Sequence, residues 1–192
     1  MTLYENIVGS RSRTSAGEIA ALVVGSLLLT ISAKVSIPFF PVPLSMQTLV
    51  VIGLGLFLGP VRATLAVLFY LAQGAAGLPV FAGTPQQGIG LAYMAGPTGG
   101  FLTGFAVQAF VAGALFRAGA GRNIWTSVAA AIVAAAAVYP TGLLWLGLVV
   151  GFDKPVLAMG LFPFIPGDLM KAALAALLFA AAFRAMPKRE NG

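Results

Sequence analysis

The chain has 192 residues, 59% of them hydrophobic and only 8% charged, where a soluble domain carries about 25% charged residues. With a mean hydropathy of +0.98, it reads as an all-α integral membrane protein embedded in a lipid bilayer, with no sizeable water-facing globular part. The net charge of +6 comes from scattered Lys and Arg between apolar runs, a topology signal rather than a nucleic-acid surface. The absence of Cys and His excludes disulfides, thiol chemistry and the commonest metal ligand and general base, so neither a cofactor nor a metal site is expected.

Residues 1–15 are polar and lack the apolar core and cleavage site of a signal peptide. They are expected to form a short cytoplasmic tail. A first helix is predicted over 16–33, with Lys34 snorkelling at its outer end. Ala16, Ala20, Ala21 and Gly25 recur on it at small-xxx-small spacing, which lets helix backbones approach closely in lipid. That face serves either partner docking or packing within the protein.

Residues 35–43 hold three prolines in six positions, with Phe39 and Phe40 at the tip. Such a run cannot be helical, and at membrane depth it must be buried in protein or line a cavity. It reads as a lid, or alternatively as a connection anchored by interfacial aromatics.

A second helix is predicted over 44–58, with Gln47 and Thr48 under the lid. A Gln in hydrocarbon needs a hydrogen-bond partner. Gly59-Pro60 ends this helix and a third follows over 63–76. The uncharged Gly/Pro/Gln-rich stretch 77–91 is long for a connection, and loops of that kind are often functional. Gln86 and Gln87 in it are candidate hydrogen-bonding groups for a ligand. Tyr93 precedes Gly96-Pro97-Thr98-Gly99-Gly100, which lacks the Lys of a phosphate loop and reads as the close-packed start of a fourth helix over 97–116.

A fifth helix is predicted over 125–148, carrying Tyr139 and Trp145 and kinked at Pro140. A sixth runs over 166–186, followed by a cytoplasmic tail, 187–192. At roughly 20 residues per crossing, these make six transmembrane helices in one bundle, residues 16–186.

Of the eleven Lys and Arg, eight fall on one side: Arg11, Arg13, Arg62, Arg117, Arg122, Arg184, Lys188 and Arg189. The positive-inside rule then puts both termini in the cytoplasm. The two Pro/Gly-rich loops and the start of the last helix face outward, around an outward-facing ligand cavity.

Asp168 and Lys171 stand at that start. They lie at i and i+3 and share a helix face. Ionisable residues within a membrane face the bundle interior or a wet cavity and are functional candidates by default. Asp168 also sits in the first turn, where the helix dipole favours an anion. The pair reads either as a grip on a small polar solute or as a structural staple between helices. In the first reading, Gln47 joins the polar contacts, and Phe39, Phe40, Tyr93 and Trp145 supply apolar walls.

The ordered motifs Ile-Pro-Phe-Phe-Pro-Val-Pro-Leu-Ser-Met-Gln-Thr (37–48), Leu-Gly-Pro (58–60), Gly-Leu-Pro-Val-Phe-Ala-Gly (77–83), Gly-Pro-Thr-Gly-Gly (96–100) and Pro-Gly-Asp-Leu-Met-Lys (166–171) resemble the BioY family. Its members are the biotin-specific substrate-binding (S) components of energy-coupling factor (ECF) transporters. The resemblance implies a six-helix S component that captures biotin from outside a bacterial cytoplasmic membrane. It implies that Asp168 and Lys171 are the ligand-binding acid and base, that 38–43 is a gating loop, and that the small-residue face of the first helix docks the T subunit. Two ATPase subunits would supply the energy, since this chain has no P-loop.

Rival readings are an S component for another small vitamin, an intramembrane hydrolase using Ser45 and Lys171, and a channel. The hydrolase lacks a supporting His, Cys or metal cluster. The channel lacks a continuous polar path.

Overall fold

The computed structural model describes residues 15–185. Except for Ser15, the two tails expected from the sequence lie outside the described residues. Helix α1 (Ser15–Lys34) leads into a short antiparallel hairpin, β1 (Ser36–Ile37) and β2 (Leu44–Ser45), with Ser36 opposite Ser45 and Ile37 opposite Leu44. There follow α2 (Gln47–Leu58), α3 (Pro60–Ala75), the single turn α4 (Gly90–Met94), α5 (Gly99–Arg117) and a 3-10 turn (Ala120–Arg122). The chain continues through α6 (Ile124–Ala136), α7 (Tyr139–Val150), the short α8 (Val156–Gly160) and α9 (Ile165–Ala185).

Helices α1 and α5 are long and apolar enough to cross a membrane, as are the stretches Ile124–Val150 and Val156–Ala182. The remaining two predicted spans form shorter helices, α2 with 12 residues and α3 with 16. Large apolar side chains such as Ile19, Leu148 and Leu177 are more than half exposed. That is the surface of a multi-pass membrane protein, whose outer face is solvated by lipid and whose backbone must satisfy itself in helices.

Helix α5 is the central post. It packs against α2, α3, α6 and α7, while α9 closes on α2 and α6 and α1 leans on α3. Glycine makes the tightest of these contacts possible. A Cβ on Gly113 of α5 would meet the Pro60 nitrogen at 2.3 Å, and one on Gly55 of α2 would meet the Ala112 Cβ at 2.5 Å. Close backbone approach gains dispersion contacts where lipid offers no hydrophobic drive. The α1–α3 seam also carries polar links: Arg62 donates to both oxygens of Glu18 at 2.7 and 2.8 Å, and the Ser26 hydroxyl donates to Gln73.

Local chemistry accounts for the departures from the predicted elements. Pro60 opens α3 three residues earlier than expected, because a missing N–H is harmless in the first turn. Gly59 supplies the positive φ of 81° for the reversal. The helix predicted over 125–148 is two helices rather than one kinked helix. Pro140 lacks the N–H that the Ala136 carbonyl needs, so α6 ends at Ala136 and α7 restarts at Tyr139. Asn123 caps α6 by accepting from the Thr126 N–H at 2.9 Å.

Candidate ligand-binding site

At the hairpin end of the bundle, α9 begins just before the acidic residue, which places Asp168 in the first helical turn. Asp168 is 5% exposed. Its two oxygens are engaged separately. Lys171 Nζ donates to Oδ1 at 3.1 Å, and the Tyr139 hydroxyl of α7 donates to Oδ2 at 2.6 Å. Both members of the ion pair are largely shielded from solvent. Such a pair is tolerated when its charges are matched and hydrogen-bonded. An ammonium has three donors, so Lys171 retains capacity beyond Asp168.

These residues line a cavity together with Ser45, Gln47 and Thr48 from β2 and α2, Ala82 and Thr98 from the loops, and Phe101, Phe105, Val138 and Phe164. Its volume is ≈40 Å³, against roughly 300–1,000 Å³ for a small-molecule pocket. The site is therefore contracted. Phe39 of the hairpin loop packs edge-on against Phe164, with centroids 6.2 Å apart, and so backs one wall.

A polar chain runs inward from the cavity lining. Ser45 donates to Gln47 Oε1 at 3.1 Å, Gln47 Nε2 donates to the Tyr70 hydroxyl at 2.9 Å, and Tyr70 donates to the Val80 carbonyl at 3.2 Å. Gln47 thus has the partner that its burial requires. Tyr93 donates to the Ala82 carbonyl at 2.6 Å. Burial pushes its phenol above the usual range, so it keeps its proton and remains a donor.

Of the residues singled out in the sequence, Asp168, Lys171 and Gln47 come together on the cavity. Tyr93 stands one layer back, acting through Ala82, and Phe39 acts through Phe164. Phe40 is 85% exposed and turns away. Gln86 is exposed and does not line the cavity. Trp145 is held elsewhere: its indole N–H donates to the Gly96 carbonyl at 2.9 Å, with its ring over Gly100.

Tyr139, Phe101, Phe105, Phe164 and Thr98 line the cavity without having been singled out for it. Tyr139 left a trace, as a polar aromatic beside Pro140 in an apolar stretch. Phe101 and Phe105 left only the i, i+4 spacing common to any packed face.

The small residues of α1 divide their roles. Gly25 is buried, and a Cβ there would lie 2.9 Å from that of Ala66 on α3. Ala20, Ala21 and Gly25 itself line an apolar groove of ≈630 Å³ between α1, α2 and α9, floored by Gly53, Phe57 and Leu178. Ala16 is exposed beyond the end of that groove.

A sequence model of the BioY family matches residues 9–188. The chain is 37% identical over 164 residues to the "Probable biotin transporter BioY" of Pyrococcus horikoshii, covering 85% of this chain and 94% of that one. It is 39% identical over 166 residues to the "Biotin transporter BioY" of Rhizobium etli, covering 83% and 86%. Its fold matches a crystal structure described as the S-component for biotin from an ECF-type ABC transporter, with a TM-score of 0.73 at 24% identity over 91% of this chain and 96% of the other.

Proposed function

This chain belongs to the BioY family, and from that premise we propose that it is the biotin-capturing S component of an ECF-type vitamin importer. It is a transport protein and not an enzyme. The observation that carries the reading is the Asp168–Lys171–Tyr139 cluster, buried beside a cavity that a proline-rich hairpin covers.

Biotin offers a ureido ring with two N–H donors and one carbonyl, an apolar bicycle and a carboxylate tail. Asp168 is the acceptor for N–H groups, Lys171 the donor for a carbonyl or carboxylate, and Phe101, Phe105, Phe164 and Val138 are the apolar walls. A cavity of ≈40 Å³ cannot hold that solute. Loading therefore requires the Phe39–Phe164 contact to part and the hairpin loop to lift. The geometry corresponds to a closed cup whose polar groups satisfy one another.

In this reading six helical rods cross the membrane: α1, α2, α3, α5, the broken rod α6–α7, and α9. The basic residues orient them with both termini in the cytoplasm of a bacterial cell, so the cup opens outward. The groove holding Ala20 and Ala21 receives the T subunit, and two ATPase subunits provide the energy.

The test is equilibrium binding of biotin to the purified protein in detergent, with thiamine and riboflavin in parallel. Saturable, selective biotin binding is expected. No binding, or tighter binding of either other vitamin, would overturn the reading.

A further inference from the structure

Three consecutive carbonyls of the loop above the cavity are each held by a different helix. Tyr70 of α3 holds Val80 at 3.2 Å, Lys34 of α1 holds Phe81 at 2.9 Å, and Tyr93 of α4 holds Ala82 at 2.6 Å. Lys34 Nζ also donates to the carbonyl and the hydroxyl of Thr84, both at 3.0 Å. The three donors of its ammonium are thus spent on one loop turn, 47 to 50 positions away in the chain.

The turn is seated from beneath as well. The Phe81 ring lies between Tyr70 and Tyr93, with centroids 5.3 and 5.2 Å away. It fills the hollow over Gly74, where a Cβ would come within 1.9 Å of its Cζ. Ala82, next in the chain, is part of the cavity wall.

We propose that Lys34 is a positioning residue for the ligand site: it ties the roof segment 80–84 to the end of α1 and thereby sets how fast bound ligand escapes. The inference rests on the ligand-binding reading of the cavity. Without Lys34, the bonds from Thr84 to the Phe81 carbonyl remain, but they are internal to the loop and leave it untied from α1. A lysine that only snorkels would send its ammonium to water, whereas this one turns back onto backbone. A lysine that only complements the helix dipole would affect helix stability and leave the roof unchanged. Since α1 also carries the groove-facing Ala20 and Ala21, any displacement of that helix reaches the roof through Lys34.

The test compares wild type, Lys34→Met and Lys34→Arg in lipid nanodiscs by two readouts: hydrogen exchange of amides 81–84 without ligand, and the biotin dissociation rate. Lys34→Met is expected to raise both by about tenfold, the order for losing a charge-assisted hydrogen bond, with little change in melting temperature. Lys34→Arg is expected to restore most of each. Wild-type protection and release in Lys34→Met would overturn the proposal, as would a lowered melting temperature with unchanged release. Should wild type bind no biotin, the ligand reading fails, and the exchange comparison alone decides whether Lys34 holds the roof. If Lys34→Met does not fold, Lys34→Gln, which is shorter and uncharged and leaves the loop's own Thr84–Phe81 bonds intact, takes its place. Faster exchange and release would then support the proposal and unchanged values would overturn it.

Discussion

Tyr139 donates its hydroxyl to Asp168 Oδ2 at 2.6 Å across 29 positions of sequence. This one bond joins the restart of the broken α6–α7 rod to the first turn of α9. It holds the carboxylate by the oxygen that Lys171 does not use, so the acid is fixed by two donors. The broken rod thus acquires a purpose: Pro140 ends α6 and lets Tyr139 open α7 at the level of the site.

In the proposed reading, replacing either member of the ion pair removes a partner of the ligand; it also strands the other charge. Asp168→Asn and Lys171→Ala are each expected to abolish tight biotin binding. Stranding a buried charge costs about 3–5 kcal/mol. The double variant Asp168→Asn/Lys171→Met is expected to recover much of that stability without recovering binding, because the two effects are coupled. Calorimetric titration with biotin and thermal melts in detergent measure both. Unchanged affinity in the two single variants would exclude this site.

The exposed groove makes a different demand. Ala20→Trp fills it with a bulky ring while lying far from the cavity. Biotin binding is expected to persist and uptake by the complete transporter to fail. Uptake at the wild-type rate would move the docking face elsewhere.

Gln108 of α5 is 0% exposed, and among the described residues its amide is the buried side-chain group with neither polar atom partnered. It lies on the same helix face as Phe101 and Phe105, one turn beyond the cavity floor. An unpartnered buried amide costs about 1–3 kcal/mol by protein mutational data, so Gln108→Leu is expected to raise the melting temperature. A lowered melting temperature would mean that the amide has a partner in the membrane-embedded protein.

Tyr93 tests the roof from the side of pH. Burial raises its phenol pKa above the ordinary 10.0, so the folded protein holds that proton more tightly than the unfolded chain. Its contribution is constant below about pH 10 and falls as pH rises past that value. Tyr93→Phe is expected to lose about 1–3 kcal/mol at neutral pH by leaving the Ala82 carbonyl unsatisfied, and to lack this alkaline component. Melting curves at pH 7 and pH 10.5 distinguish the two proteins.

Composition specified a membrane protein, and apolar runs of about 20 residues specified helices, one of the two ways, with the closed barrel, that a backbone satisfies itself in lipid. Local spacing placed Asp168 and Lys171 on one face, since i, i+3 neighbours meet in any α-helix. The ordered Pro/Gly motifs carried the family. Tertiary structure decided the rest. Tyr139 came to line the cavity while Trp145 and Gln86 did not, Gly25 packed against Ala66 as well as lining the groove it shares with Ala20, and Lys34 found its partners some fifty residues away. Those outcomes depend on how helices approach one another and on which hydrogen bonds that approach completes. Periodicity along a single helix carries no record of either.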